Sequence, residues 1–266
     1  MAASLPQPEY AETTFQNQMT TFTSPNADIQ WYPPALIGAP NLAKIIVQDG
    51  ARYVEQAVSL LEELESDDYT NYLLEYYRTG LNRFGAGWTY ADIVTVALGL
   101  AEHLKPSSYL EIGVRRGRSV CGVAKNAPGV NLALFDMWIE NYAGMDNPGP
   151  DLVKSELAKV GHGGNVEFFN GDSHETVPAY FAQNPDQYFD MITVDGDHST
   201  EGAAQDLCDV LPHLAIGGAI IFDDICHPGL PGLREVWQEL VEQDLRFSSW
   251  TFEEVGYGIG FALRKW

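Results

Sequence analysis

Residues 109–119 read YLEIGVRRGRS. A short apolar run carries Glu111 near its end, and Gly113, Gly117 and Ser119 then open a helical pattern. Small residues at such a turn let the backbone approach a ligand, and the first N–H groups of the helix face an anion. The same alternation continues downstream. Apolar runs at 109–112, 132–135, 166–169, 189–194 and 219–222 predict strands, separated by helical patterns near 118–126, 150–160, 174–183 and 200–214. Strands that alternate with amphipathic helices build a mostly parallel sheet. A last helix over 233–241 precedes aromatic-rich runs at 247–252 and 259–263, and the Gly256-Tyr257-Gly258 break between them predicts an antiparallel hairpin. The expected fold is α/β: a Rossmann-like, mostly parallel sheet with helices on both faces, an antiparallel C-terminal hairpin and a helical N-terminal extension.

Upstream of the quoted stretch the pattern is helical. Val54, Val58, Leu61 and Leu64 recur at helical spacing, and Leu73, Leu74, Tyr77 and Leu81 mark a second helix. A third is expected to begin near Thr89 and to end at Lys105-Pro106, where proline forbids continuation. Residues 1 to about 50 carry Pro6, Pro8, Pro25, Pro33, Pro34 and Pro40 among polar residues, which predicts an irregular arm. The chain therefore divides into an arm and helical cap, 1–87, and a ligand-binding domain, 88–266.

Composition narrows the function classes. With 15 Lys+Arg against 37 Asp+Glu, the 266 residues carry a formal charge of −22, a field that repels phosphate backbones and anionic lipid. Nucleic acid and membrane are thus excluded as expected partners, and a small-molecule substrate is favoured. Apolar stretches stop well short of the roughly 20 residues a membrane span needs. The N-terminus lacks the basic start and apolar core of a signal peptide, so a cytoplasmic location is expected. Cys121, Cys208 and Cys226 are an odd count without CxxC spacing and read as reduced, mostly buried thiols.

Ligands of open parallel sheets bind outside the carboxyl ends of the strands, so the residues after each strand form one set. Beyond the glycine turn, Asp136 lies 25 residues past Glu111, placed to accept from ribose hydroxyls, with Met137 and Trp138 flanking a base. Gly171-Asp172-Ser173 offers a carboxylate for an adenine amino group; an Asx turn capping the next helix is the plainer alternative. GxGxxG and GxxxxGK[ST] are absent, which removes support from nicotinamide and P-loop readings. The fourth end, VDGDHS, presents Asp195, Asp197 and His198, and the fifth, IIFDDICHPG, presents Asp223 and Asp224. Carboxylates on adjacent strand ends repel unless a hard divalent cation sits between them, and all-oxygen ligation favours Mg²⁺; for either motif alone, solvated acids at loop starts are the plainer alternative. His198 stands three residues from Asp195, where an imidazole takes a proton from a substrate hydroxyl near neutral pH. WIENYAGMDNPGP, 138–150, reads as a substrate loop.

Over about residues 88–266 these motifs resemble those of the class I S-adenosylmethionine-dependent methyltransferases. YLEIGVRRGRS, GDS, VDGDHSTEGAAQDL and GGAIIFDDI are similar to stretches of the metal-dependent natural-product sugar O-methyltransferases of the macrocin and novobiocin type. IIFDDICHPG also resembles catechol O-methyltransferases, which usually have Asp-Asn where this chain has Asp223-Asp224. The resemblance implies Asp195, Asp223 and Asp224 as Mg²⁺ ligands, Gly113, Asp136 and Asp172 around S-adenosylmethionine, Ser119 at the methionine carboxylate and His198 as base. Arg115 and Arg116 depart from the small residues common in that glycine loop, and the first 87 residues match nothing in these families. The implied activity is Mg²⁺-dependent O-methylation of a small metabolite, a sugar or a vicinal diol or catechol, with the N-terminal helices over the cofactor mouth and available for homo-oligomer contact. Two other readings stay open on sequence alone: a metal-independent N-, C- or O-methyltransferase, and a catalytically silent nucleoside-binding or assembly protein.

Overall fold

The computed structural model describes residues 38–48, 51–141, 144 and 146–266. Five parallel strands, β1 (Ser108–Ile112), β2 (Asn131–Asp136), β3 (Val166–Asn170), β4 (Phe189–Val194) and β5 (Leu214–Asp223), are joined by β7 (Ile259–Arg264) and β6 (Phe247–Phe252) in the order β3-β2-β1-β4-β5-β7-β6. β7 runs antiparallel between β5 and β6, as the Gly256 to Gly258 break predicts. Connections that reverse direction across β1 and β4 leave a crevice at their carboxyl ends, where an open α/β sheet binds its ligand.

Side-chain alternation along the strands creates two apolar layers. Tyr109, Leu132, Leu134, Met191, Ile221 and Phe261 face the layer that holds α2 (Ala51–Glu63), α3 (Asp68–Phe84), α4 (Ile93–Leu104), α5 (Arg118–Asn126) and α6 (Pro150–Lys159). Leu110, Phe135, Ile192, Val194, Ile220 and Phe222 face the other, with α7 (Ser173–Gln183), α8 (Thr200–Val210) and α9 (Gly232–Trp237). The N-terminal helices thus share a core with the sheet.

Several boundaries differ from expectation. The arm expected to be irregular to about residue 50 contains α1 (Ala39–Ala43) and a π-helical turn, Lys44–Gln48, because Leu42 and Ile46 find burial beside α4 and β6; residues 1–37 lie outside the described part. α4 starts at Ile93 rather than near Thr89, fixed by a capping box in which Asp92 accepts from Thr95 N and the Thr95 hydroxyl accepts from Asp92 N. The helix expected over 200–214 stops before Pro212, and Leu214 instead begins β5, which passes through Gly217 at φ 81°. Cys121 is buried and Cys226 half-buried, but Cys208 is exposed on α8, against the expectation of mostly buried thiols. Among the described residues no helix is long and apolar enough to cross a membrane.

Candidate active site

The carboxyl ends of β1, β2 and β4 are stitched together by backbone bonds, Gly113 N to Phe135 O and Asp195 N to Ile112 O, each 2.9 Å. Gly113 sits at φ 87°, and a Cβ there would fall 1.8 Å from Asp195 O, so no other residue lets the two ends approach this closely. Beneath the turn Glu111 is fully buried; it accepts from the Tyr109 hydroxyl and, at 2.5 Å, from Ser119 Oγ. Burial pushes the Glu111 carboxyl up to about 8. Glu111 and Ser119 therefore face each other under the turn, whereas Gly113 and Gly117 lie on it. Asp136 spans two ligand loops, accepting from Arg115 N at 2.7 Å and from Trp138 N at 2.5 Å. Met137 is exposed; Trp138 donates from its indole to Asn170 at 2.7 Å. Asp172 adopts the capping geometry, accepting from His174 N at 3.0 Å at the start of α7, and Ser173 is buried beside it.

Three of the predicted chemical groups converge. Asp195, His198 and Asp224 each offer an atom within 4.8 Å of the others. His198 Nε2 lies 3.3 Å from Asp195 Oδ1 and 3.6 Å from Asp224 Oδ2. The hydrogen bond to Asp195 raises the His198 pKa, against burial. Asp224 holds φ 59°, a left-handed conformation that turns its carboxylate back toward β4 and that aspartate tolerates better than most residues. Burial and the nearby Asp195 charge push Asp224 up to about 6. Asp223, the last residue of β5, lies outside that triad of ligand atoms, although burial, Asp195 and Asp224 raise its carboxyl well above the ordinary range. Asp197 turns away from the triad to cap the next turn, accepting from Ser199 N at 2.8 Å.

The sequence reading missed the partners of RRGR. Arg118 forks both oxygens of Asp67 at 2.6 and 2.7 Å, and Arg116, only 5% exposed, reaches Glu65 at 3.1 Å, Asp67 at 3.4 Å and Asp146 at 3.5 Å. Asp67 also caps α3 through Thr70 N. Tyr69, one turn into the cap, lies over the guanidinium groups of Arg115 and Arg118. The arginine contacts join positions thirty to about fifty apart in sequence, beyond any local pattern. Open grooves of about 460 and 480 Å³ lie elsewhere, one along Leu211 and Leu240 and one between Phe84, Trp88 and Phe252, and neither includes Asp195, Asp223 or Asp224.

Comparison with known proteins bears on the fold. Residues 110–225 match a family model described as a methyltransferase domain. The fold is similar to that of the O-methyltransferase TomG from Streptomyces achromogenes, involved in tomaymycin synthesis and solved with S-adenosylmethionine, at 19% identity over 76% of this chain and 91% of that one, with a TM-score of 0.53. An O-methyltransferase from Bacillus cereus in complex with S-adenosylhomocysteine is 18% identical over 76% of this chain and 92% of its own, TM-score 0.52. The TDP-rhamnose 3'-O-methyltransferase CalS11 of calicheamicin biosynthesis is 22% identical over 80% and 93%, TM-score 0.50. No curated protein matches this sequence significantly. Residues 110–225 thus match a methyltransferase-domain model, and the fold is similar to that of methyltransferases solved with S-adenosylmethionine or S-adenosylhomocysteine.

Proposed function

We propose that the protein is an O-methyltransferase that uses S-adenosylmethionine and a divalent cation, Mg²⁺, to methylate a hydroxyl of a small metabolite, a sugar or a vicinal diol or catechol. The observation that carries this reading is the convergence of Asp195, His198 and Asp224 within 4.8 Å, with the Asp223 carboxyl adjoining. Asp223 and Asp224, raised by burial and by neighbouring negative charge, make this rim a place for a cation, and the donor set fits a hard divalent ion: oxygens from two strand ends with an imidazole at the edge. Asp195 and Asp224 would hold it. When bound there, the ion supplies charge that lowers the pKa of an acceptor hydroxyl, and S-adenosylmethionine supplies an electrophilic methyl group.

The chain's own residues do the rest. The Gly113 turn admits the cofactor backbone-close, and Asp136 fixes the loops on both sides of it while keeping lone pairs for ribose hydroxyls. Asp172 and the buried Ser173 border the adenine side. His198 Nε2 takes the acceptor proton, and Asp195, hydrogen-bonded to it, stabilises the imidazolium that results. Alignment of the acceptor oxygen with the methyl group and exclusion of water supply the remainder of the rate.

One observation favours a second reading. His198 already bridges Asp195 and Asp224, so an imidazolium offsets part of their charge and a metal-independent methyltransferase is the alternative. Calorimetric titration with S-adenosylhomocysteine, followed by methyl-transfer assays of chelator-dialysed protein with and without Mg²⁺, tests both. The proposed reading expects one-to-one binding and activity restored by Mg²⁺. Full activity in excess chelator selects the second reading, and no binding by folded protein removes both.

A further inference from the structure

We propose that Arg116 is a positioning residue for S-adenosylmethionine: with its guanidinium spent on three carboxylates, it holds the turn after β1 in the strained shape that meets Asp136. The inference rests on the reading of the Gly113 turn and Asp136 as the cofactor site.

The strain lies at Arg115. Between β1 and α5 the chain turns through three left-handed positions, and glycine fills two of them, Gly113 and Gly117. The third is Arg115, at φ 52°, where the Cβ crowds the following carbonyl oxygen. Such a residue persists only where its surroundings over-determine it. The same residue reaches the proposed cofactor site: Arg115 N donates to Asp136 Oδ2 at 2.7 Å, the carboxylate placed for ribose hydroxyls. A turn that relaxed out of the left-handed region would move that N–H off Asp136.

The next residue supplies the hold. Arg116 is 5% exposed, and its three guanidinium nitrogens face three different carboxylates: Nη2 lies 3.1 Å from Glu65, Nε 3.4 Å from Asp67 and Nη1 3.5 Å from Asp146. Glu65 and Asp67 lie between α2 and α3 in the cap, and Asp146 lies between β2 and α6. The side chain is therefore caught from two separate segments, and the backbone at 115–116 relaxes only by breaking that fan of ion pairs. Arg118 does not substitute for it. Its fork to Asp67 starts beyond Gly117, in the first turn of α5, and pins the helix instead of the turn. A planar guanidinium with donors in a fixed fork suits three partners at once, whereas an ammonium is a point charge on a flexible stem.

The test is calorimetric titration of the full chain with S-adenosylhomocysteine, which needs neither an acceptor nor a metal. Urea unfolding establishes that each variant is folded under the titration conditions. Arg116→Gln removes the ion pairs; with the hold gone, the relaxed turn outweighs the strained one by about tenfold and the apparent Kd rises by the same factor. A second background separates positioning from charge and packing. Glycine takes φ 52° without strain, so in Arg115→Gly protein the turn needs no holding, and adding Arg116→Gln should raise the Kd by only about twofold.

An Arg116→Gln Kd within about twofold of wild type overturns the proposal. An equal loss in both backgrounds overturns it too, since Arg116 then acts through charge or packing and not through the turn. If Arg116→Gln does not fold, Arg116→Lys keeps the charge without the three-way fork and is expected to raise the Kd about threefold; a wild-type Kd in that variant again overturns the proposal. Wild-type protein that does not bind S-adenosylhomocysteine removes the cofactor reading itself, an outcome separate from a binding wild type with an indifferent Arg116→Gln.

Discussion

Two charged clusters share the rim of the sheet and are built on opposite plans. Around the turn after β1, Arg116 and Arg118 meet Glu65, Asp67 and Asp146, so positive and negative groups alternate, with the two arginines and Asp67 largely shielded from water and Glu65 and Asp146 at the exposed rim. Burial raises the Asp67 carboxyl, but the bonds from Thr70 and Arg118 win and bring it down to about 2. At the ends of β4 and β5 the acids face one another with His198 between two of them, and Asp223 and Asp224 are both pushed up. A closed ionic network fixes shape; an excess of like charge in a half-buried crevice stores potential that a cation relieves. On the proposed function the first cluster belongs to structure and the second to chemistry.

That contrast breaks most sharply at Asp195 and Asp224. Replacing either by alanine is expected to lower methyl transfer on the order of 10³-fold, since charge stabilisation by a bound metal is worth several kcal/mol. The Kd for S-adenosylhomocysteine should stay within a few-fold. Turnover measured alongside calorimetry decides it: a variant that keeps full activity would move the chemistry away from these acids. The paired cluster should respond in the other way. Asp67→Ala removes the cap of α3 and leaves Arg118 without its fork, and breaking a largely buried pair predicts a loss of about 3 kcal/mol in denaturant unfolding. Because the Asp67 pKa is lowered in the folded state, its contribution is complete above pH 4 and fades as pH falls toward 2; unfolding curves across that window should be flatter in Asp67→Ala than in wild type.

The same division governs what the sequence disclosed. The strands, the C-terminal hairpin and the acids at the strand ends were legible because each is a local pattern: an apolar run of fixed length followed by a loop residue. Asp195, His198 and Asp224 met as the strand-end rule requires, since β4 and β5 are neighbours. Asp223, the last residue of β5, lies outside that triad, whereas Asp224 follows it in a left-handed turn at φ 59°. Arg115 to Arg118 read as an anomaly in a glycine loop; their meaning lies in Glu65, Asp67 and Tyr69, which only tertiary packing brings near. α1 was hidden for a related reason, since Pro40 and polar neighbours suggest irregular chain while the burial of Leu42 and Ile46 overrides local preference.

Glu111 sharpens the comparison, because it lies beneath both clusters and belongs to neither. Its carboxyl is buried below the Gly113 turn with Ser119 and Tyr109 as donors, and Tyr109 in turn reaches Thr193 at 2.7 Å on β4. With the folded pKa near 8 and the ordinary value 4.5, the folded protein holds a proton that the unfolded chain has lost over that interval. Stability therefore declines as pH rises from 4.5 to about 8, and above it the cost of a buried charge is fully present. Glu111→Gln keeps the shape, accepts from Ser119 and donates to Tyr109, whose hydroxyl can turn its own proton to Thr193. The variant should match wild type near pH 5 and exceed it by about 1 kcal/mol or more at pH 8.5, each pKa unit being worth about 1.4 kcal/mol before relaxation of the surroundings. Urea unfolding at the two pH values measures the difference. If the Gln variant is instead less stable at both, Glu111 is ionised in the folded protein, and the glycine turn rests on a third charged site, not on a neutral hydrogen-bonded floor.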